Sequence, residues 1–336
     1  MGRKALSLIL FLVMVFFMMG CNTDGERNSA QDVIVGDEVE ELNLSIGVAP
    51  GPASYPLVLL AEENPGIELK TWQNMAQLTS MVTTKEIQIC ASPISNALLT
   101  YNKGFDVQLS MVTVWGMLYV MSTDASLSSL QDLKGEEIVI SGQGNINDLI
   151  FRHLLIENGM DPDTDLTITY MDMPEASSRL VTGDLKHAVL NEPHSSVVTL
   201  NAQKSNIDLF RVLDLTEEWN KLPGQEDIRL PMAGIVVVKD EKLTAEEYEN
   251  FEAQYFAACE RVNSNPKEVG SIVEKYIPWM KATAVAESTK YARLRPQKAT
   301  ECQAEIEAFF QELSKTNDVK AFGGKLPDAG FYYQGR

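Results

Sequence analysis

The chain has little histidine and little cysteine: three and four residues among 336. No Cys or His spacing matches a zinc motif, and no P-loop, G-x-S-x-G elbow or H-E-x-x-H run is present. A metal site from His187, His194 and Glu192 is conceivable from their nearness in sequence, but the pattern gives no reason to expect a metal, a cofactor or catalysis. Basic residues are also scarce, 28 Lys and Arg against 47 Asp and Glu, for a net charge of -19. That balance excludes nucleic acid, whose phosphates need concentrated cations, and leaves no basic face for anionic lipid. Cys90 stands in an apolar strand-like run, as a small core residue does. Cys259 and Cys302 fall on expected helices and either pair or remain thiols.

What is there begins with the N-terminus. Arg3 and Lys4 precede an apolar run, Ala5–Met19. It is shorter than the ~20 residues of a membrane-spanning helix, so it reads as a secretory signal. Gly20-Cys21 at its end resembles a bacterial lipobox, although Met18 stands where leucine is usual. The resemblance implies export, cleavage after residue 20 and lipidation of Cys21, hence an extracytoplasmic protein tethered to the cell membrane. Residues 21–41 carry seven acids against Arg27 alone and show no helical period. Such a segment buries too little to offset its ordering entropy and is expected to be a flexible acidic tether.

The remaining residues suffice for two domains of ~100–200 residues. Short apolar runs alternate with helical patterns. The expected strands are Leu42–Ala49, Ile67–Trp72, Ile87–Ala91, Val107–Thr113, Met117–Ser122, Glu137–Ser141, Leu166–Met171, His187–Leu190, Leu209–Leu213 and Ala233–Lys239. Six helices are expected between them, and after Leu243 only helices: Ala245–Asn263, Lys267–Tyr276, Ala282–Arg293 and Ala299–Lys315. Alternation of this kind predicts mainly parallel sheets with helices on both faces. Ligands of such sheets bind beyond the strand C-termini, where helix N-termini offer free N–H groups.

In chain order, five elements resemble one family. They are Leu44–Val48, Thr113-Val114-Trp115-Gly116, the D-L-K-G element within Leu130–Ile140, Ala188–Pro193 and Lys325–Tyr333. Together they look like an extracytoplasmic solute-binding protein of an ABC importer, in the branch that serves nitrate, sulfonates, taurine and thiamine-precursor pyrimidines. The resemblance implies the two-lobed type II periplasmic-binding-protein fold, α/β, each lobe a mainly parallel sheet flanked by helices, with a helical C-terminal extension. Lobe 1 would take 42–121 plus 231–336 and lobe 2 would take 122–230. The protein would be a monomer, with a small-molecule solute, a permease and its ATPase as partners.

Carried onto matching corners, the resemblance puts ligand contacts at Pro52, Ala53 and Ser54, at Gln73 and Asn74, and at Ser92. Thr113 and Trp115 follow near the crossover, then Gln143, Gly144, Asn145 and Glu192 from lobe 2. Each has a plainer alternative: Ser92 and Asn74 could only cap helices, and Trp115 could pack the lobes together. Glu192 either caps a helix or faces a cation or N–H on the ligand. No Lys or Arg stands at these corners, which disfavours nitrate or sulfate and favours a neutral or zwitterionic organic solute; the cargo that the resemblance implies is a small sulfonate, taurine-like or pyrimidine-like molecule. A sensor or scaffold of the same fold stays open. So does an enzyme of that fold, although the cysteine-rich run of the related pyrimidine synthases is missing.

Overall fold

The computed structural model describes residues 41–226, 228–239 and 242–335. The expected signal peptide, Cys21 and the tether up to residue 40 lie outside the described residues.

Two sheets organise the chain. The first has the order β11-β4-β10-β3-β1-β2 and the second β7-β6-β8-β5-β9. Its strands are β1 (Ser45–Val48), β2 (Glu68–Thr71), β3 (Ile89–Pro93), β4 (Val107–Val114), β5 (Leu118–Ser122) and β6 (Glu137–Ile140). Then follow β7 (Thr167–Tyr170), β8 (His187–Asn191), β9 (Phe210–Asp214), β10 (Ala233–Val238) and β11 (Leu294–Lys298). The ten strands expected from the sequence are all present. The eleventh, β11, overturns the expectation that strands stop after Leu243. It is an edge strand carrying Pro296 and pairs only with β4; an edge position tolerates proline and asks for little apolar sequence.

The α/β fold class holds, but each sheet is mixed rather than mainly parallel. β1 runs parallel to β2 and β3, and β6 parallel to β7 and β8. The reversed directions of β10 and β5 have one cause. β10 enters the first sheet from the crossover, so its first residue Ala233 pairs with Pro93 and Val114, the last residues of β3 and β4. β5 enters the second sheet in the same way, with Leu118 opposite Asn191 at the end of β8. The C-terminal ends of β3 and β8 therefore meet the starts of β10 and β5 at one junction. Gly234 permits the tight packing there, because a Cβ at that position would lie 2.1 Å from the Met111 carbonyl oxygen.

The helices are α1 (Tyr55–Glu63), α2 (Met75–Thr83), α3 (Ile94–Asn102), α4 (Ile146–Glu157), α5 (Met173–Thr182) and α6 (His194–Lys204). They continue with α7 (Leu215–Asn220), α8 (Ala245–Ser264), α9 (Pro266–Tyr276), α10 (Ala282–Thr289) and α11 (Gln303–Leu313). Several start where the sequence carries a cap: Asn74, Asn145, Asp172 and Thr244 each accept a backbone N–H of the first turn. One apolar core runs through the first sheet, the C-terminal helices and the α4 side of the second sheet. A smaller core lies between that sheet and α5 and α6. The C-terminal helices also reach the second sheet's helices, α10 against α6 and α11 against α4. Cys90, Cys259 and Cys302 are buried free thiols, so the possible Cys259–Cys302 disulfide is not formed.

Candidate functional site

At the junction of the two sheets lies a cleft of about 310 Å³. Its first wall is the corner after β1, where Pro52–Ser54 form a single 3-10 turn. Ser54 Oγ accepts the Ala49 N–H at 3.2 Å, and the Tyr255 hydroxyl donates to the Ala53 carbonyl at 2.9 Å. Both bonds fix the corner and leave its small apolar surface facing the cleft. Trp72 and Gln73 contribute from the end of β2, Ala91, Ser92 and Pro93 from the end of β3, and Ala233 from the start of β10. The second sheet supplies Met117, Asn191, Glu192 and His194, and the loop between α9 and α10 supplies Trp279.

Of the residues expected at the site, Pro52, Ala53, Ser54, Gln73, Ser92 and Glu192 line this cleft. The others sit elsewhere. Asn74 caps α2 through the Gln77 N–H, and Thr113 is fully buried with its hydroxyl 3.2 Å from that of Tyr255. Asn145 caps α4, accepting from Asn147 and Asp148. The Gly144 N–H donates to Asp148 Oδ2 at 2.7 Å, and Gln143 is exposed beside it.

Trp115 borders a separate cavity of about 630 Å³. Its indole N–H donates to the Arg295 carbonyl at 2.8 Å, and the Arg229 guanidinium stacks 3.7 Å over its ring. That cavity is larger and rich in cations, but four of them are already committed to carboxylates: Lys221 to Glu218, Arg229 to Glu305, Lys290 to Glu287 and Arg293 to Asp214. The smaller cleft is the better candidate because it lies at the strand ends of both sheets.

Glu192 is fully buried, and its charge is used within the protein. Arg211 donates to Oε1 from Nε at 3.2 Å and from Nη2 at 2.9 Å, while the Ser196 N–H donates to Oε2 at 3.2 Å. Arg211 also donates to Ser196 Oγ at 2.9 Å and stacks on the Tyr291 ring at 3.7 Å. Burial pushes the Glu192 carboxyl above the usual carboxylate range, and Arg211 and Ser196 oppose that shift. Of the two sequence alternatives, the geometry matches internal bonding and helix capping. His194 has one ring nitrogen 3.2 Å from Asn191 Oδ1, and burial pushes its pKa down to about 4. It is uncharged at neutral pH. Among the described residues the cleft therefore presents no free charge of either sign, and two tryptophans, Trp72 and Trp279, line it.

His187 and His194, weighed from the sequence as metal ligands with Glu192, begin β8 and α6 respectively, and among the described residues neither belongs to a group of ligand atoms close enough to hold a metal. They do not form a cluster. Among the contributors that escaped the sequence are Arg211, whose partner is brought to it across β5; Trp279, on a loop among helices; and Trp72. Of these, only Trp72 had a signal, its place immediately before the corner residue Gln73.

Comparison with known proteins adds a likeness to this geometry. The family model described as "NMT1/THI5 like" matches residues 61–221, a little under half of the chain. Residues 61–221 are thus similar to that family. Among solved structures, an ABC transporter from Parabacteroides distasonis superposes with a TM-score of 0.71 at 21% identity, covering 88% of this chain and 99% of that one. The periplasmic aliphatic sulphonate binding protein SsuA from Escherichia coli gives 0.69 at 14% identity, covering 87% and 92%. The fold is that of the type II periplasmic binding proteins. A curated relative, the nitrate import ATP-binding protein NrtC of Synechocystis, is 24% identical over 60% of this chain. The chain spans about a third of that relative's length, 35%. The segment that the family model matches contains Gln73, Ser92, Glu192 and Arg211, whereas Pro52–Ser54 and Trp279 lie outside it and complete the cleft.

Proposed function

We propose that this protein is the solute-capturing component of an ABC importer and that its cargo is a small, uncharged organic molecule. The observation that carries the reading is the cleft's lining: two tryptophans, small apolar corners and amide or hydroxyl groups, with its one carboxylate already paired. A nitrate or sulfonate entering such a site would lose its hydration without gaining a cation, a cost of several kcal/mol. A flat, neutral solute would instead gain aromatic contact and a few hydrogen bonds. In this reading the chain shares its fold with the sulphonate binding protein SsuA and differs from it in cargo.

In this reading the two lobes, 42–121 with 231–336 and 122–230, close on the solute because it binds the closed form better than the open one. The loaded monomer then delivers its cargo to a permease powered by its ATPase. Gly20-Cys21 supports an extracytoplasmic protein held to the cell membrane by lipid on Cys21. Native mass spectrometry after mixing with pyrimidines, amino-sulfonates, alkanesulfonates and nitrate tests the proposal. One intact neutral solute per chain is expected; binding of nitrate or a simple sulfonate alone would refute the cargo class.

A further inference from the structure

A second cluster, away from the cleft, joins α4 to α11. His153 on α4 is fully buried, and its Nε2 has no hydrogen-bond partner. That nitrogen lies 3.6 Å from Glu312 Oε1 on α11. Glu157, one helical turn beyond His153, completes a group whose ligand atoms all lie within 4.8 Å of one another.

The surroundings divide the work. His153 Nδ1 is 2.8 Å from Thr316 Oγ1. With the Nδ1 proton directed at that hydroxyl, the Nε2 lone pair faces the carboxylate, the arrangement in which an imidazole ligates a cation. Glu312 uses Oε2 for Gln225 at 2.9 Å and Lys315 at 2.7 Å, leaving Oε1 toward His153. Lys315 is mostly exposed and can swing aside. It neutralises Glu312 when no cation is present. Glu157 is exposed and opens the group to solvent.

We propose that His153, Glu157 and Glu312 bind a divalent cation of the zinc type, tying the second sheet's α4 to the C-terminal α11. One imidazole and two carboxylates suit zinc, with water as fourth ligand, better than magnesium or calcium. Bonds of about 2.0–2.2 Å bring such ligand atoms to roughly 3.3 Å apart. The group must therefore contract, chiefly by movement of the exposed Glu157. This site is independent of the cargo assigned to the cleft.

The test is titration of chelator-free protein with ZnCl2, following bound metal per chain and unfolding temperature, with CoCl2 as the spectroscopic probe. One equivalent should bind, raise the unfolding temperature and give a low-symmetry cobalt spectrum. Glu157→Gln, at an exposed position, should leave the metal-free unfolding temperature unchanged and weaken zinc binding by about tenfold or more. Glu312→Gln should also lose the response. Stoichiometric binding that survives in Glu157→Gln, or no stoichiometric binding by the native protein, would overturn the proposal.

Discussion

Replacing Arg211 by methionine isolates the charge that the cleft wall depends on. Methionine keeps an unbranched apolar stem against Tyr291 but leaves Glu192, with no exposed surface, facing no cation. Breaking a buried pair from one side costs about 3–5 kcal/mol, because the remaining charge is uncompensated. At about 2 °C per kcal/mol for a chain of this size, the melting temperature should fall by roughly 6–10 °C.

The loss should depend on pH with a definite sign. Burial already raises the folded-state pKa of Glu192 above its usual 4.5, and removing Arg211 raises it further. The folded variant then holds a proton that the unfolded chain has released. Its stability is greatest below about 4.5 and declines as pH rises through the raised value. Denaturant unfolding at pH 5 and pH 8 should thus show the larger deficit at pH 8. Adding Glu192→Gln to Arg211→Met should restore most of the loss at pH 8, since no buried charge remains. A cost below about 1 kcal/mol, equal deficits at both pH values, or a double variant no better than the single would refute the reasoning.

Other expectations follow from single contacts. Trp279 is 53% exposed at the cleft mouth, so Trp279→Ala should leave the unfolding temperature nearly unchanged while weakening solute binding, read by calorimetry. His194 has a folded pKa of about 4 against an ordinary 6.5. It therefore contributes stability that is present above pH 6.5 and lost as pH falls through 4; His194→Asn should flatten the unfolding profile in that window. Gly234→Ala should cost about 1–3 kcal/mol or more by forcing β10 away from the Met111 carbonyl, measured by urea unfolding. Asp148 is buried and accepts from Gly144, Arg152 and Tyr170. Asp148→Asn turns an acceptor into a donor facing these donors and should lower stability by about 1–3 kcal/mol in the same assay.

The sheets were legible because their inner strands are buried on both faces. Runs such as Val107–Val114 and Ala233–Val238 are mostly apolar and rich in Val, with no charged residue, and a proline or small polar corner marks where most helices start. Strand direction was not legible, since it depends on where the chain re-enters each sheet, and β11 was hidden by its edge position. Half of the expected site residues line the cleft because corners after parallel strands converge at one edge. The rest illustrate what a corner alone does not tell: Asn74 and Asn145 spend their side chains on capping, and the Trp115 indole bonds to Arg295 instead. The Glu192–Arg211 pair joins residues of β8's end and β9 across β5, a relation that exists only after the sheet is formed.

The most direct test of the uncharged cleft is thermal unfolding of the protein against paired solutes: neutral heterocycles such as pyrimidines on one side, nitrate, taurine and alkanesulfonates on the other. At 100 times its dissociation constant a native-state ligand adds about 2.7 kcal/mol, a shift of several degrees. The account predicts that such a shift comes from a solute without charged groups and that the anions and zwitterionic taurine give none. A saturable shift from nitrate or an alkanesulfonate, with the neutral solutes silent, would contradict it.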